Sequence, residues 1–345
     1  LAPTHFTRFS NDNLEIQLGD SVRGRSVFVV QSLTQPVSEH LLQLLMMLDI
    51  SRSAAAREVH AVLPYFSYAR SDKKNAPRIS ITARLVADML QTAGATHVMT
   101  MTLHSPQVHG FFSVPIDPLT ARAQFVKHFL SAGLDSDNSI VVAPDAGSAK
   151  ASARFAESLH LNVAVATKTR VSDTVVQIDP LVGRQVKGFD HAVIYDDEIA
   201  TGGSVVELAR VLLDSGVKEI SVVCTHGLFL DKAINRLGHI PEIREIVTTD
   251  TVPIPHEKRL PNMTVLSVAP VFGDAIERNY HHESLGDLFT FGAFDGVADA
   301  GDGALPGDAS EGASPGGDPQ TAEGHGHAAT APDTTGLTQD KARAG

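Results

Sequence analysis

Val193-Ile194-Tyr195-Asp196-Asp197-Glu198-Ile199-Ala200-Thr201-Gly202-Gly203-Ser204 is the stretch that decides the fold. Apolar residues lead as a strand to Asp196 and Asp197, two glycines flanked by hydroxyls make a turn, and a helical pattern follows in Val205, Val206, Leu208, Ala209 and Leu212. Glycines let backbone N–H groups crowd an anion, hydroxyls add donors, and a helix N-terminus adds a favourable dipole. Two carboxylates beside such a nest repel phosphate, so they need other work: accepting sugar hydroxyls, or holding a divalent cation through water. The order strand, Asp-Asp, Thr-Gly-Gly-Ser, helix reads as a cradle for a ribose 5-phosphate. It is neither the Walker loop nor the Rossmann glycine fingerprint.

Outward from this stretch the chain repeats itself. Val22-Arg23-Gly24-Arg25 with the run Val27–Ser32 parallels Val186-Lys187-Gly188 with Val193–Asp196, and Arg57–Leu63 parallels Lys218–Val223. Both pairs lie about 160 residues apart, the size of one domain. Each half alternates short β-branched runs with helical patterns, which predicts parallel sheets flanked by helices. Helices are expected over Ser38–Asp49, Ile79–Ala93, Ala121–Ala132, Lys150–Leu159 and Val205–Ser215. Strands are expected over Ser26–Gln31, Glu58–Leu63, His97–Thr102, Ser139–Ala143, Val163–Thr167, Ala192–Tyr195 and Ile220–Thr225. The division expected is an N-terminal domain over 1–132, a C-terminal domain over 133–291 and a tail over 292–345. In the tail Gly, Ala, Asp, Pro and Ser dominate without apolar periodicity, which predicts disorder.

The formal net charge of -12 argues against a nucleic-acid binder, and nine acids against two bases lie beyond Ala293, so the folded part is only mildly acidic. No apolar run reaches membrane-spanning length, and Leu1-Ala2-Pro3-Thr4-His5 lacks the layout of a signal peptide. The single cysteine, Cys224, excludes intramolecular disulfides and sits in an apolar run, as a buried strand residue would. Cytoplasm is the expected compartment.

Further motifs fall at expected strand ends. Pro64-Tyr65-Phe66-Ser67-Tyr68-Ala69-Arg70-Ser71-Asp72-Lys73-Lys74 follows one strand. Aromatics next to cations suit a nucleotide, as a stacking surface beside phosphate ligands, and also suit a solvated loop. Thr102-Leu103-His104-Ser105 follows another, with a histidine placed to meet a cation or simply to support the structure.

Taken in order, these segments resemble the ribose-phosphate diphosphokinase (phosphoribosyl diphosphate synthetase) family in its common bacterial class. The motifs are Phe9-Ser10, Gln31-Ser32 with Pro36-Val37, Pro64-Tyr65 through Asp72, Leu103-His104 with Gly110-Phe111-Phe112, Pro144-Asp145-Ala146-Gly147, Lys168-Thr169-Arg170, the Asp-Asp/Thr-Gly-Gly loop and Thr225-His226-Gly227. They span about Phe9 to Phe289. The resemblance implies an α/β fold of two tandem phosphoribosyltransferase-like domains. It implies transfer of the diphosphoryl group of ATP to the C1 hydroxyl of ribose 5-phosphate, with Mg²⁺. It makes Lys168 and Arg170 the catalytic pair, on a flap continued by Val171-Ser172-Asp173-Thr174. Arg170, Asp196, Asp197, Ala200, Thr201, Gly202, Gly203 and Ser204 become the ribose-5-phosphate site. Asn11, Asp12, Asn13, Arg70, Ser71 and Asp72 become ATP contacts, and His104 and Asp145 metal ligands.

The resemblance also implies a homo-oligomer, a hexamer built from dimers. Phosphate or ADP would act on it at Ser21, Arg23, Asp117 and Ser284. It places another strand and helix before Phe9-Ser10, so the N-terminal domain is expected to lack its first strand and helix. The chain departs from the family pattern at Asn11-Asp12-Asn13, Ser71, Thr102 and Ala200. Two other readings remain: a phosphoribosyltransferase, which uses the same loop but one such domain, and a non-catalytic regulatory homologue, which softened ATP motifs would mark.

Overall fold

The computed structural model describes residues 1–170 and 176–289. A hairpin comes first, β1 (Thr4–Arg8) against β2 (Leu14–Leu18), antiparallel in the register Thr4↔Leu18 to Arg8↔Leu14. Sequence reading missed it, although Leu14, Ile16 and Leu18 alternate with polar residues and Asn11-Asp12-Asn13 is turn chemistry.

Then β3 (Ser26–Val30), α1 (Val37–Ser53), β4 (Glu58–Leu63), α2 (Thr82–Ala93), β5 (His97–Met101) and β6 (Ile116–Leu119) build the first parallel sheet, in the order β3-β4-β5-β6. Val59, Ala61 and Leu63 of β4 point to the side where α1 and α2 bury Leu44, Leu48, Ala83, Val86 and Leu90. Val62 points the other way, as strand pleating requires. Helix α2 begins at Thr82 rather than at Ile79. The reason is local: Ser71 takes the first orphan N–H groups, its Oγ accepting from Thr82 N–H (3.2 Å) and its carbonyl from Ala83 N–H (3.2 Å).

Helix α3 (Arg122–Ser131) leads into β7 (Ser139–Ala143), α4 (Ala149–Ser158), β8 (Asn162–Val165), β9 (Lys168–Arg170), β10 (Val176–Ile178) and α5 (Val182–Gln185). After them come β11 (His191–Ile199), α6 (Gly203–Asp214), β12 (Glu219–Gly227), α7 (Ala233–Gly238), β13 (Ile243–Thr249), β14 (Met263–Leu266) and α8 (Ala269–His281). The second sheet is parallel throughout, in the order β14-β13-β12-β11-β7-β8, while β9 and β10 form a separate ribbon. The repeat is visible as strand succession, since β3-β4-β5-β6 and β11-β12-β13-β14 each run side by side in chain order.

Chain order in the second sheet reverses between β7 and β11. Ile140, Val142, Ala192 and Ile194 pack under α6 with Val205, Leu208 and Leu212, whereas Val141, Val193 and Tyr195 pack with Phe155 of α4 on the opposite face. The connections leaving β7 and β11 therefore part to opposite faces, and a crevice opens at the strands' C-terminal ends. The second core also takes in Met99, Met101 and Leu119 of the first sheet and Phe125 and Phe129 of α3, so both halves share it. Cys224 is fully buried on β12, and burial pushes its thiol up to about 12, so it is inert.

Candidate active site

Strand β11 runs further than Tyr195, because Asp196, Glu198 and Ile199 stay paired with Cys224, His226 and Gly227 of β12. Asp196 and Asp197 thus lie inside the strand, and their two carboxyls meet each other. Beyond it Gly202 takes φ +71°, a left-handed conformation that costs glycine little, and caps α6 without a side chain. The first N–H groups of α6 are left for an anion. The turn is pinned by Leu228 N–H and Phe229 N–H to Ile199 O (3.0 and 3.2 Å), Leu230 N–H to Ala200 O (2.8 Å) and Arg236 to Thr201 O (2.9 Å). Thr201 and Ser204 flank the cradle.

The two carboxylates differ electrostatically. Burial pushes the Asp196 carboxyl well above its ordinary range, and the neighbouring Asp197 charge adds to this. Its oxygen accepts from Asp197 N–H at 3.0 Å. Burial also works on Asp197, but His104, whose Nδ1 lies 2.8 Å from Asp197 Oδ2, outweighs it and holds Asp197 low. The same hydrogen bond raises the His104 imidazole against the effect of burial. His104 comes from the segment after β5, so this pair joins the two halves across the crevice.

Lys168 opens β9 and its Nζ meets Asp145 Oδ2. Asp145 follows β7 and begins the turn into α4, where its Oδ1 accepts Ser148 N–H at 3.1 Å. Burial would raise the Asp145 carboxyl, yet the Lys168 ammonium brings it below the usual range. The backbone of Arg170 pairs with Val176 on the same ribbon, but its side chain and residues 171–175, which include the expected flap Val171–Thr174, lie outside what is described. The tail over 292–345 also lies outside the described residues. Among the described residues no group of three or more His, Cys, Asp or Glu side chains converges on a point fit for a metal ion, and His104 and Asp145 have separate partners.

Arg70 ends a turn after β4 and reaches Glu198 Oε1 at 3.2 Å. Burial disfavours its charge, but Glu198, with Asp197 and Asp196 behind it, holds the guanidinium above its ordinary value. Asp72 is half-buried nearby in the chain, while the Ser71 hydroxyl is committed to the start of α2. Of the three aromatics read as a stacking surface, Tyr65 and Phe66 are 5% and 2% exposed and belong to the interior, while Tyr68 is half-buried. Asn11, Asp12 and Asn13 form the exposed β1–β2 turn. The polar contacts of that turn stay with the hairpin and α1, through Arg8 to Asp12 and Glu39 (both 2.5 Å), so no polar contact brings the three to the crevice.

Asp117 is buried against His97 (2.7 Å). Ser284 lies exposed, five residues before Phe289, which bridges Leu119 of β6. Ser21 and Arg23 are exposed in the β2–β3 turn.

Sequence reading missed the roles of Tyr65, Glu198, His226 and Thr251. His226 is buried, with Nδ1 2.9 Å from Thr251 Oγ1 and Nε2 3.1 and 3.2 Å from the carbonyls of Met101 and Thr102. Burial lowers its imidazole, so the neutral ring donates from Nε2 and accepts at Nδ1. Its only signal in the sequence was membership of the Thr225-His226-Gly227 motif.

The family model for the N-terminal domain of ribose phosphate pyrophosphokinase matches residues 1–94, and that for the phosphoribosyl synthetase-associated domain matches residues 180–290. A Streptomyces coelicolor relative is 48% identical over 289 residues, 84% of this chain and 90% of its own. The ribose-phosphate pyrophosphokinase of Deinococcus radiodurans is 44% identical over 286 residues, 82% of this chain and 88% of its own. Among solved structures, the phosphoribosylpyrophosphate synthetase from Mycobacterium smegmatis is similar with a TM-score of 0.75 at 34% identity, covering 82% of this chain and 91% of that one. No helix among the described residues is long and apolar enough to cross a membrane. On these matches the chain belongs to the ribose-phosphate pyrophosphokinase family.

Proposed function

We propose that this chain transfers the diphosphoryl group of ATP to ribose 5-phosphate. The C1 hydroxyl oxygen bonds to the β-phosphorus and gives up its proton to solvent, the bond from that phosphorus to the α,β-bridging oxygen breaks, and AMP leaves with that oxygen. The observation that carries the reading is the convergence at the β7/β11 crevice. Lys168 on Asp145, His104 on Asp197 and Arg70 on Glu198 bring both halves to the phosphate cradle.

In this reading the turn Ala200–Ser204 and the α6 N-terminus take the 5-phosphate, and Asp196 accepts ribose hydroxyls, with Asp197 beside it. Arg70 and Asp72 meet ATP. Asn11, Asp12 and Asn13 are kept as ATP contacts on the family resemblance alone. In this reading Lys168 and, on the family resemblance, Arg170 stabilise charge that develops on the phosphoryl oxygens, where positioned cations contribute most. A lysine resting on a partly exposed carboxylate is cheap to release, so its ion pair with Asp145 does not compete strongly with phosphate.

The donor set suits Mg²⁺. Asp145, Asp196, Asp197 and Glu198 outnumber Lys168 and Arg70, and the Asp196 carboxyl has no ion-pair partner of its own among the described residues, its oxygen accepting from Asp197 N–H. His104 and Asp145 would hold the ion with ATP oxygens. When bound, it would neutralise charge on the transferring phosphates.

A phosphoribosyltransferase is not favoured, because the matched relatives are named pyrophosphokinases and are covered over about nine-tenths of their own length. A hexamer built from dimers, with phosphate or ADP acting at Ser21, Arg23, Asp117 and Ser284, and a cytoplasmic location complete the proposal. Purified protein should release AMP from ATP only when ribose 5-phosphate is present. ATP left intact would defeat the catalytic reading in favour of a regulatory homologue.

A further inference from the structure

Glu198 follows the Asp-Asp pair on β11, and its carboxylate has only 8% of its side-chain surface exposed. Both of its oxygens are engaged by the other half of the chain. Tyr65 O–H donates to Oε2 at 3.0 Å, and Arg70 donates from one terminal nitrogen to Oε1 at 3.2 Å. Burial and the Glu198 charge both push the Tyr65 phenol up, so it stays protonated as a donor. Tyr65 is itself fixed, since it is 5% exposed and its ring packs 5.0 Å from that of His226. The carboxylate is therefore held at one oxygen by a buried phenol and presents the other to Arg70.

We propose that Glu198 is a positioning residue for the nucleotide: it orients Arg70 so that its remaining donors face the phosphates of ATP. The proposal rests on the reading of Arg70 as an ATP contact. A guanidinium carries five N–H donors in a rigid fork, and Glu198 uses one. The structure gives Arg70 no other hydrogen-bond partner among the described residues, and its side chain is 55% exposed. An arginine so exposed would sample many rotamers. Holding one nitrogen against a buried carboxylate that Tyr65 fixes at its other oxygen removes that freedom before ATP arrives, so the loss is not charged to binding. The carboxylate also spans from β11 to the segment after β4, so nucleotide orientation is tied to the strand that carries the ribose cradle.

Glu198 is also a negative charge near a polyanion, and this makes the test decisive in sign. Deleting that charge should by itself strengthen ATP binding. A loss of affinity on deletion is then not a charge effect, and the Arg70→Ala background decides whether it runs through Arg70. The experiment is calorimetric titration of the full chain with a non-hydrolysable ATP analogue, on wild type, Glu198→Gln, Arg70→Ala and the double variant. Glu198→Gln keeps the shape and an acceptor for Tyr65. It should weaken analogue binding by about five- to tenfold and leave ribose 5-phosphate binding unchanged.

In the Arg70→Ala background the same change should cost nothing or bind slightly tighter. That coupling is not produced by a merely structural role. Unchanged or tighter binding by Glu198→Gln in the wild-type background, or an equal loss in both backgrounds, would overturn the proposal. AMP release is measured separately on wild type. Its absence defeats the catalytic reading and leaves the binding comparison valid, whereas Arg70→Ala binding the analogue like wild type defeats the premise and the proposal together.

Discussion

Lys168 and Asp196 sit on opposite sides of one kinetic distinction. Lys168 would meet the transferring phosphoryl mainly in the transition state, so Lys168→Ala should cut kcat by about a hundredfold or more and leave ribose 5-phosphate affinity nearly intact. Because its ion pair with Asp145 is more than a third exposed on the lysine side, melting temperature should hardly move. Single-turnover AMP release with a parallel thermal melt separates the two, and a kcat within a few-fold of wild type would remove Lys168 from the chemistry. Asp196 would bind sugar hydroxyls in ground and transition states alike. Asp196→Asn should therefore raise KM for ribose 5-phosphate with a smaller change in kcat. A raised KM for ATP alone would move Asp196 to the nucleotide.

At the scale of elements, two glycines that look alike in the sequence do different work. Gly202 needs its left-handed φ, but a Cβ there meets nothing closer than Ala233 at 3.7 Å. Gly202→Ala should cost about 1 kcal/mol and weaken phosphate binding. Gly227 has ordinary φ, but a Cβ would stand 2.4 Å from the Phe229 ring and 2.7 Å from Thr248 Oγ1, where β12 ends against β13. Gly227→Ala should destabilise more than Gly202→Ala, by about 1–3 kcal/mol in all. Chemical denaturation of the two variants ranks them, and the reverse order would show that backbone conformation outweighs crowding. Strand β11 teaches a similar lesson. Its apolar run was legible to Tyr195, but the ladder to β12 carries it on through two carboxylates that no propensity scale would place in a strand.

For the molecule as a whole, histidines set how stability responds to acid. Burial lowers the imidazoles of His60, His109, His191 and His226. An unfolded chain binds their protons near pH 6.5, above the folded values, so their contribution is fully present above that pH and is lost as pH falls below it. His104 acts the other way, since its raised value favours the folded state below that pH and fades as pH rises. Four lowered imidazoles oppose His104 and the raised Asp196 carboxyl, whose protonated form also favours the folded state in acid, so the melting temperature should fall between pH 7.5 and pH 5. His226→Asn should lower it at pH 7.5, where the bonds to Met101, Thr102 and Thr251 are lost, and should shrink the pH-dependent drop. A melting temperature flat across this range would mean that these imidazoles are not held neutral.

The chain's own pattern determined the parallel sheets, the repeat, the glycine turn after β11 and the cysteine's burial, because periodicity, glycine placement and burial preference act locally. Only the tertiary structure decided which residues meet. Thr4–Leu18 pairs as a hairpin, Tyr65 and Phe66 turn inward, and Ser71 serves α2 rather than standing free. Glu198 and His226 reach partners more than a hundred residues away. Such contacts depend on where β7 and β11 part and on how two sheets share one core. A carboxylate that anchors a distant arginine has the same local sequence signature as one that faces water.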